Sequence, residues 1–324
     1  MAAFTSPSAS VPPAFESVPS YGGRPALKPS IYGFLVALYI FVGGIAGSAQ
    51  IITTLLDLAG PAGISFVIMT GRILAFAGAV AGGILLIVEL HTPQRFYNML
   101  RIFRPTSPMS IGSYVLTSFG FFSLLALAGQ LLDWRWLAVS CGVAASVIGI
   151  LMACYPAALL SATSTPLWSA APRLLAIRFG AASMASGAAI LCLTALWAGP
   201  PRLAAVLAAA AAASLLAQLT AWLLAERVYK RAGVNTALRG RLGVLHTGAE
   251  LLGGAALVLF LLIVVFPAAT TPLLFAASLC VLVGGLTMRD AVLRTGNESA
   301  RDPADYFRLA RADNPANGAA NDRR

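Results

Sequence analysis

Charge is scarce in this chain: of 324 residues only 10% are Asp, Glu, Lys or Arg, and there are two histidines, His91 and His246. A solvated globular surface needs about a quarter of its residues charged, so a soluble domain is excluded. The four cysteines, Cys141, Cys154, Cys192 and Cys280, stand singly without CxxC spacing. Iron–sulfur, zinc and haem-attachment motifs are therefore missing, no metal site is expected, and the thiols read as small apolar core residues. Two histidines cannot supply the four axial ligands of a two-haem cytochrome, although one b-type haem held by His91 and His246 stays open. What the chain does have is apolar residues, 58% of the total, with a mean hydropathy of +0.81.

Eight apolar runs, near 31–56, 66–90, 111–132, 137–160, 174–198, 203–225, 244–266 and 271–288, meet or approach the roughly 20 residues a helix needs to cross hydrocarbon. Helices satisfy their own backbone groups there, so the expected fold is an all-α polytopic membrane protein with eight transmembrane helices. Residues 1–29 read as a flexible polar N-terminal tail, 30–288 as the transmembrane domain and 289–324 as a polar C-terminal tail on the membrane surface. Arg24 and Lys28 before an apolar run ending near AGSAQ imitate a signal peptide. The long preceding tail, and continuation through IITTLL, favour an uncleaved first span.

The net charge of +10 would suit nucleic acid, but the basic residues sit in loops and tails rather than on one face, and no nucleic-acid partner is expected. With alternating sides, nineteen of the twenty-two fall on one side: in the N-terminal tail, at 91–110, 161–178 and 226–243, and after 288. The opposite loops hold Arg135 and Arg202, and Arg72 lies within the second span. The positive-inside rule then places both termini on the cytoplasmic side of the membrane, which is expected to be a bacterial inner membrane.

Glycine-rich patches such as GGIAGS at 43–48 and GAVAGG at 78–83 predict close helix packing. The alanine-rich stretch at 204–218 offers no chemistry. Ionisable residues within spans are functional candidates because burying them is costly. Arg72 either snorkels to the interface or serves a function. Glu89, beside His91, is a proton-handling group or an interfacial anchor. His246 and Glu250 are four apart and share a helix face, as a proton relay or a packing pair. Tyr155, late in the fourth span, and Tyr39, in the first, either hydrogen-bond a polar ligand head or belong to the aromatic belt.

Between the second and third spans stands HTPQRFYNMLRIFRPTSPMSIGSYVLTSFG, residues 91–120. It resembles the junction of helices 2 and 3 in the NrfD-like family, the membrane subunits of polysulfide reductase and related respiratory molybdoenzymes, whose pattern is close to DLGRPERFWNMLRxFRPxSPMSxGSW. Pro93, Arg95, Phe96, Asn98, Arg101, Phe103, Pro105, Ser107, Pro108, Met109, Ser110, Gly112 and Ser113 match in place. GGIAGSAQ, Tyr155 with TPLW at 165–168, and GNESARDP after the last span extend the resemblance. Glu89, His91 and Thr92 depart from the usual Asp, Gly and Arg, and Arg173 and Arg178 stand in a region usually apolar.

The resemblance implies two four-helix bundles, 31–160 and 174–288, and a quinone pocket in the first, which nominates Tyr39 and Tyr155. It implies no covalently bound cofactor, with menaquinone or ubiquinone as substrate. It implies a ferredoxin-like iron–sulfur subunit docking on the side of the 91–110 loop, passing electrons to or from a molybdopterin or cytochrome subunit. Arg95, Arg101 and Arg104, stiffened by Pro93, Pro105 and Pro108, would form the cationic docking ledge or meet lipid headgroups. In the family that side faces away from the cytoplasm; the charge distribution here places it inside. The alternative function is an ion-translocating or purely structural anchor without a redox site.

Overall fold

Proline opens helices in this chain and glycine closes them. The computed structural model describes residues 32–60, 62–89, 101–102, 104, 107–265 and 270–312. Its helices are α1 (Phe34–Ala59), α2 (Ser65–Glu89), α3 (Pro108–Leu131), α4 (Arg135–Ser161), a short α5 (Pro166–Ser169), α6 (Pro172–Ala198), α7 (Pro201–Ala232), α8 (Arg241–Val265), α9 (Thr270–Arg301) and α10 (Pro303–Ala312). Pro108, Pro166, Pro172 and Pro201 occupy first-turn positions, where a missing N–H costs nothing. Gly60 and Gly233 end α1 and α7 with φ of 62° and 71°, the left-handed cap that glycine takes without strain.

Eight of these helices are long and apolar enough to cross a membrane, and the described residues contain no strand. Consecutive spans pack as antiparallel neighbours, while α1 and α6 also contact each other, α4 and α9. These two helices are the most buried of the spans. Small residues make that crowding feasible. A Cβ added to Gly47 of α1 would lie 2.6 Å from the carbonyl oxygen of Gly149 on α4, so the two backbones touch there. Gly47→Val is therefore expected to destabilise the protein by about 1–3 kcal/mol through overpacking. Thermal unfolding in detergent checks this, with Gly248→Ala, where a Cβ meets open space, as the neutral control.

The last spanning helix, α9, runs past 288, where the hydropathy falls, to Arg301. Met288, Arg289, Ala291, Val292, Thr295 and Ser299 are buried rather than lying on the membrane surface. Hydropathy falls at RDAVLR, but Arg289, Asp290, Ala291, Val292 and Leu293 turn toward protein, and Arg294 alone of the six is exposed. Arg289, counted with the tail charges, is fully buried. It donates to the Gly285 carbonyl (2.8 Å) and the Ser183 hydroxyl (2.8 Å), between the rings of Phe41 and Phe179. Arg178 likewise leaves the loop count: it sits in α6, also buried.

Candidate functional site

The ends of α1, α3 and α4 that meet on the side of the 91–107 connection bring together Tyr39 and Tyr155. Tyr155 is half-buried near the end of α4 and donates its hydroxyl hydrogen to the carbonyl of Pro108, the first residue of α3. It fits because position 112 is glycine: a Cβ there would stand 2.6 Å from Tyr155 Cε1 and 2.8 Å from Oη. Tyr39, half-buried one helix away, packs between two core clusters, with its ring against the Cβ position of Gly82 on α2. Two further aromatic residues stand at this end. Tyr32, just before α1, has its phenol pushed above the ordinary value by burial, so it stays protonated and a donor. Its ring centroid lies 6.2 Å from that of the buried Trp168 on α5, whose indole N–H donates to the Val292 carbonyl at 2.9 Å.

Beside this cluster the chain forms an exposed cationic rim. Arg101 and Arg104 are both exposed. The Arg104 backbone is held in place: its N–H donates to Ser110 Oγ at 3.1 Å, and its carbonyl accepts from the Ser107 N–H at 3.0 Å. Ser113 Oγ in turn donates to the Ser110 carbonyl at 2.8 Å. Glu89 is half-buried at the end of α2. His91 and Arg95 lie outside the described residues.

A family model described as polysulphide reductase, NrfD, matches residues 25–298, most of the chain. The chain belongs to the NrfD family. No curated protein matches it significantly. NrfD proteins are membrane subunits of multisubunit oxidoreductases and interact with quinones. The motifs that carried the resemblance have structural explanations in this NrfD subunit. Ser107, Pro108, Ser110, Gly112 and Ser113 build the start of α3 around Tyr155 and Arg104. TPLW and GNESARDP, more than a hundred residues apart in the sequence, meet in the fold: a Cβ on Gly296 would overlap the Trp168 indole. Asn297 Nδ2 donates to the Tyr32 carbonyl at 3.1 Å. Tyr32 is not singled out from the sequence, and Trp168 only as the end of TPLW; their pairing depends on the helical course of α9 beyond 288.

Glu250, nominated for proton handling, lies on α8 of the NrfD subunit with 1% exposure. Its carboxylate accepts from Arg178 Nη2 on α6 at 2.5 Å and from Gln218 Nε2 on α7 at 3.0 Å. His246 Nε2 is 3.3 Å from the same Arg178 Nη2. Arginine only donates, so Nε2 is the acceptor and the neutral ring carries its hydrogen on Nδ1. The pairing expected between His246 and Glu250 is thus replaced by one in which both face Arg178. Gln218, at the end of the alanine-rich stretch, joins the network through one hydrogen bond. No group of three or more metal-type ligands occurs among the described residues.

Arg72 does not snorkel. Its guanidinium is fully buried, 2.5 Å from Asp57 Oδ2 on α1, and donates from Nη1 to the Ala126 carbonyl at 2.8 Å. Asp57, facing it from fifteen residues earlier, removes the need to reach the headgroups.

Proposed function

We propose that this subunit oxidises or reduces a membrane quinone at the Tyr39–Tyr155 end and exchanges the electrons with an iron–sulfur subunit docked over Arg95, Arg101 and Arg104. A molybdopterin or cytochrome subunit completes the electron path. The observation that carries the reading is the juxtaposition of two half-buried phenols with two exposed arginines, one of them, Arg104, anchored through its backbone, at one end of the helices.

Oxidation of a quinol releases two electrons and two protons, so its oxygens need hydrogen-bonding partners and a route for the protons. Tyr39 and Tyr155 supply phenolic groups for the oxygens, at a level where the ring can stay in lipid or protein. Glu89 and His91, at the junction following α2, are assigned to proton handling, with Glu250 acting through Arg178 and His246. The isoprenoid tail can remain in the bilayer. The arginines recognise carboxylates of the partner with fixed, forked geometry. The transmembrane helices are assigned to two bundles, α1–α4 and α6–α9, with the termini cytoplasmic. Withdrawing Arg178 and Arg289 from the loop charge lowers the bias without reversing it.

Tyr155→Phe removes the hydroxyl while keeping the ring. Quinol-dependent electron transfer is expected to fall roughly tenfold or more, as for loss of a proton-handling or orienting group, with complex assembly unchanged. Unchanged turnover would reject the pocket. The second reading, an ion-translocating or structural anchor, is favoured by the two buried ion pairs, Arg72–Asp57 and Arg178–Glu250. Titrating the purified subunit with a quinone analogue separates the two: saturable binding, weakened by Tyr39→Phe or Tyr155→Phe, supports the first, and no binding the second.

A further inference from the structure

At the opposite end of the first four spans, away from the tyrosines, a cavity of about 310 Å³ opens between α1, α2, α3 and α4. Its polar walls are Asp57, Ser65, Gln130, Asp133 and Arg135, and its apolar floor includes Ile64 and Ile68. Both signs of charge are present, but they are not equally engaged. Asp57 is bound to Arg72, and Arg135 lies 3.7 Å from its other carboxylate oxygen and donates to its backbone carbonyl at 3.5 Å. Most of the Arg135 side chain is exposed, at 74%, leaving N–H donors for another acceptor. Asp133 is exposed and forms no ion pair among the described residues. Its backbone has φ of 54°, a left-handed conformation that aspartate tolerates better than most residues and that fixes the turn joining α3 to α4.

The surroundings are those of the membrane boundary. Leu131, Leu132, Trp134 and Trp136 are all exposed next to the cavity wall, and so is Phe66 beside Ser65. Tryptophan at a helix end is the usual marker of the headgroup level, and the leucines offer a surface for acyl chains. One largely exposed cation, held to Asp57 only by long contacts, and one anion without an ion pair among the described residues, at the rim of a cavity with an apolar floor, fit a ligand that carries both charges.

We propose that this cavity binds the headgroup of a membrane lipid carrying a phosphate and a primary ammonium, that is, a phosphatidylethanolamine. Arg135 takes the phosphate and Asp133 the ammonium, with Gln130 and Ser65 as neutral hydrogen-bonding partners, while the chains lie along Leu131, Leu132 and the two tryptophans. A choline headgroup has no N–H to donate to Asp133, and a phosphoglycerol headgroup, whose phosphate Arg135 would also take, has no cation to set against that carboxylate. The site is independent of the quinone assignment.

The test is native mass spectrometry of the full chain in detergent with an equimolar mixture of phosphatidylethanolamine, phosphatidylcholine and phosphatidylglycerol of matched chains. Phosphatidylethanolamine should be retained over both others by roughly fivefold, the scale of one exposed ion pair. Asp133→Asn, which keeps shape and left-handed tolerance, should erase the preference over phosphatidylglycerol. Arg135→Gln should lower retention of all three. Equal retention by the wild-type chain, or a preference that survives Asp133→Asn, overturns the proposal. So does full displacement of the lipid by soluble phosphoethanolamine at equal concentration, which would assign the cavity to a free headgroup-like solute.

Discussion

Glu250→Leu is expected to destabilise the protein by about 3–5 kcal/mol, because it leaves the Arg178 guanidinium buried without a counter-charge. Arg178 is 1% exposed, and the other hydrogen-bonding partner of its guanidinium among the described residues is His246, a single neutral acceptor. Gln218 loses its acceptor in the same step. The double variant Arg178→Met with Glu250→Leu should recover most of the loss, since matched apolar side chains replace a buried ion pair at little cost. Unfolding midpoints of the wild-type, two single-variant and double-variant proteins in one detergent give the coupling. If the double variant loses as much as the singles added together, the pair is not coupled and the prediction fails.

That interaction also shows where the sequence stops being informative. The eight spans follow from hydropathy alone, because crossing lipid imposes a length and a composition. The i, i+4 relation of His246 and Glu250 is likewise local and readable. Their common partner is on α6, sixty-eight and seventy-two residues away, and no periodicity indicates it. Arg178 was assigned to a loop for the same reason that Arg289 was assigned to a tail. Hydropathy treats every guanidinium as bound for water, whereas these two find carbonyl, hydroxyl, carboxylate and aromatic partners inside the bundle.

The tyrosine end was more legible. Tyr39 and Tyr155 could be nominated because the resemblance supplied a site, and Gly112 then proves to be the space that Tyr155 needs. TPLW and GNESARDP are both visible in the sequence, but not that they meet beside Tyr32, because Gly296 and Asn297 have the hydropathy of a tail. Arg101 and Arg104 are exposed as a docking rim requires, and exposure of this kind follows from their place in a connection outside the spans.

The second large effect is an asymmetry between the two halves of the other buried pair. Asp57→Leu should cost about 3–5 kcal/mol, since Arg72 is fully buried and keeps only the Ala126 carbonyl. Arg72→Met should cost less, about 1–3 kcal/mol, the usual loss when one partner of a charged hydrogen bond is removed. The difference lies in what each survivor can reach. Asp57 borders the cavity, where water can approach, and Arg135 stands 3.7 Å from its carboxylate, ready to move closer. Arg72 has neither. Adding Arg135→Gln to Arg72→Met should therefore remove the advantage and bring the loss near that of Asp57→Leu, whereas Arg135→Gln alone should be mild, because Arg72 already holds Asp57. Thermal unfolding of the four variants decides it. Equal losses for Asp57→Leu and Arg72→Met would mean that the cavity does not hydrate the carboxylate. Because the pair lies at the end opposite Tyr39 and Tyr155, affinity for a quinone analogue should stay near the wild-type value in whichever variants remain folded, so a drop in affinity without a drop in stability would place Asp57 and Arg72 in the electron-carrier site instead.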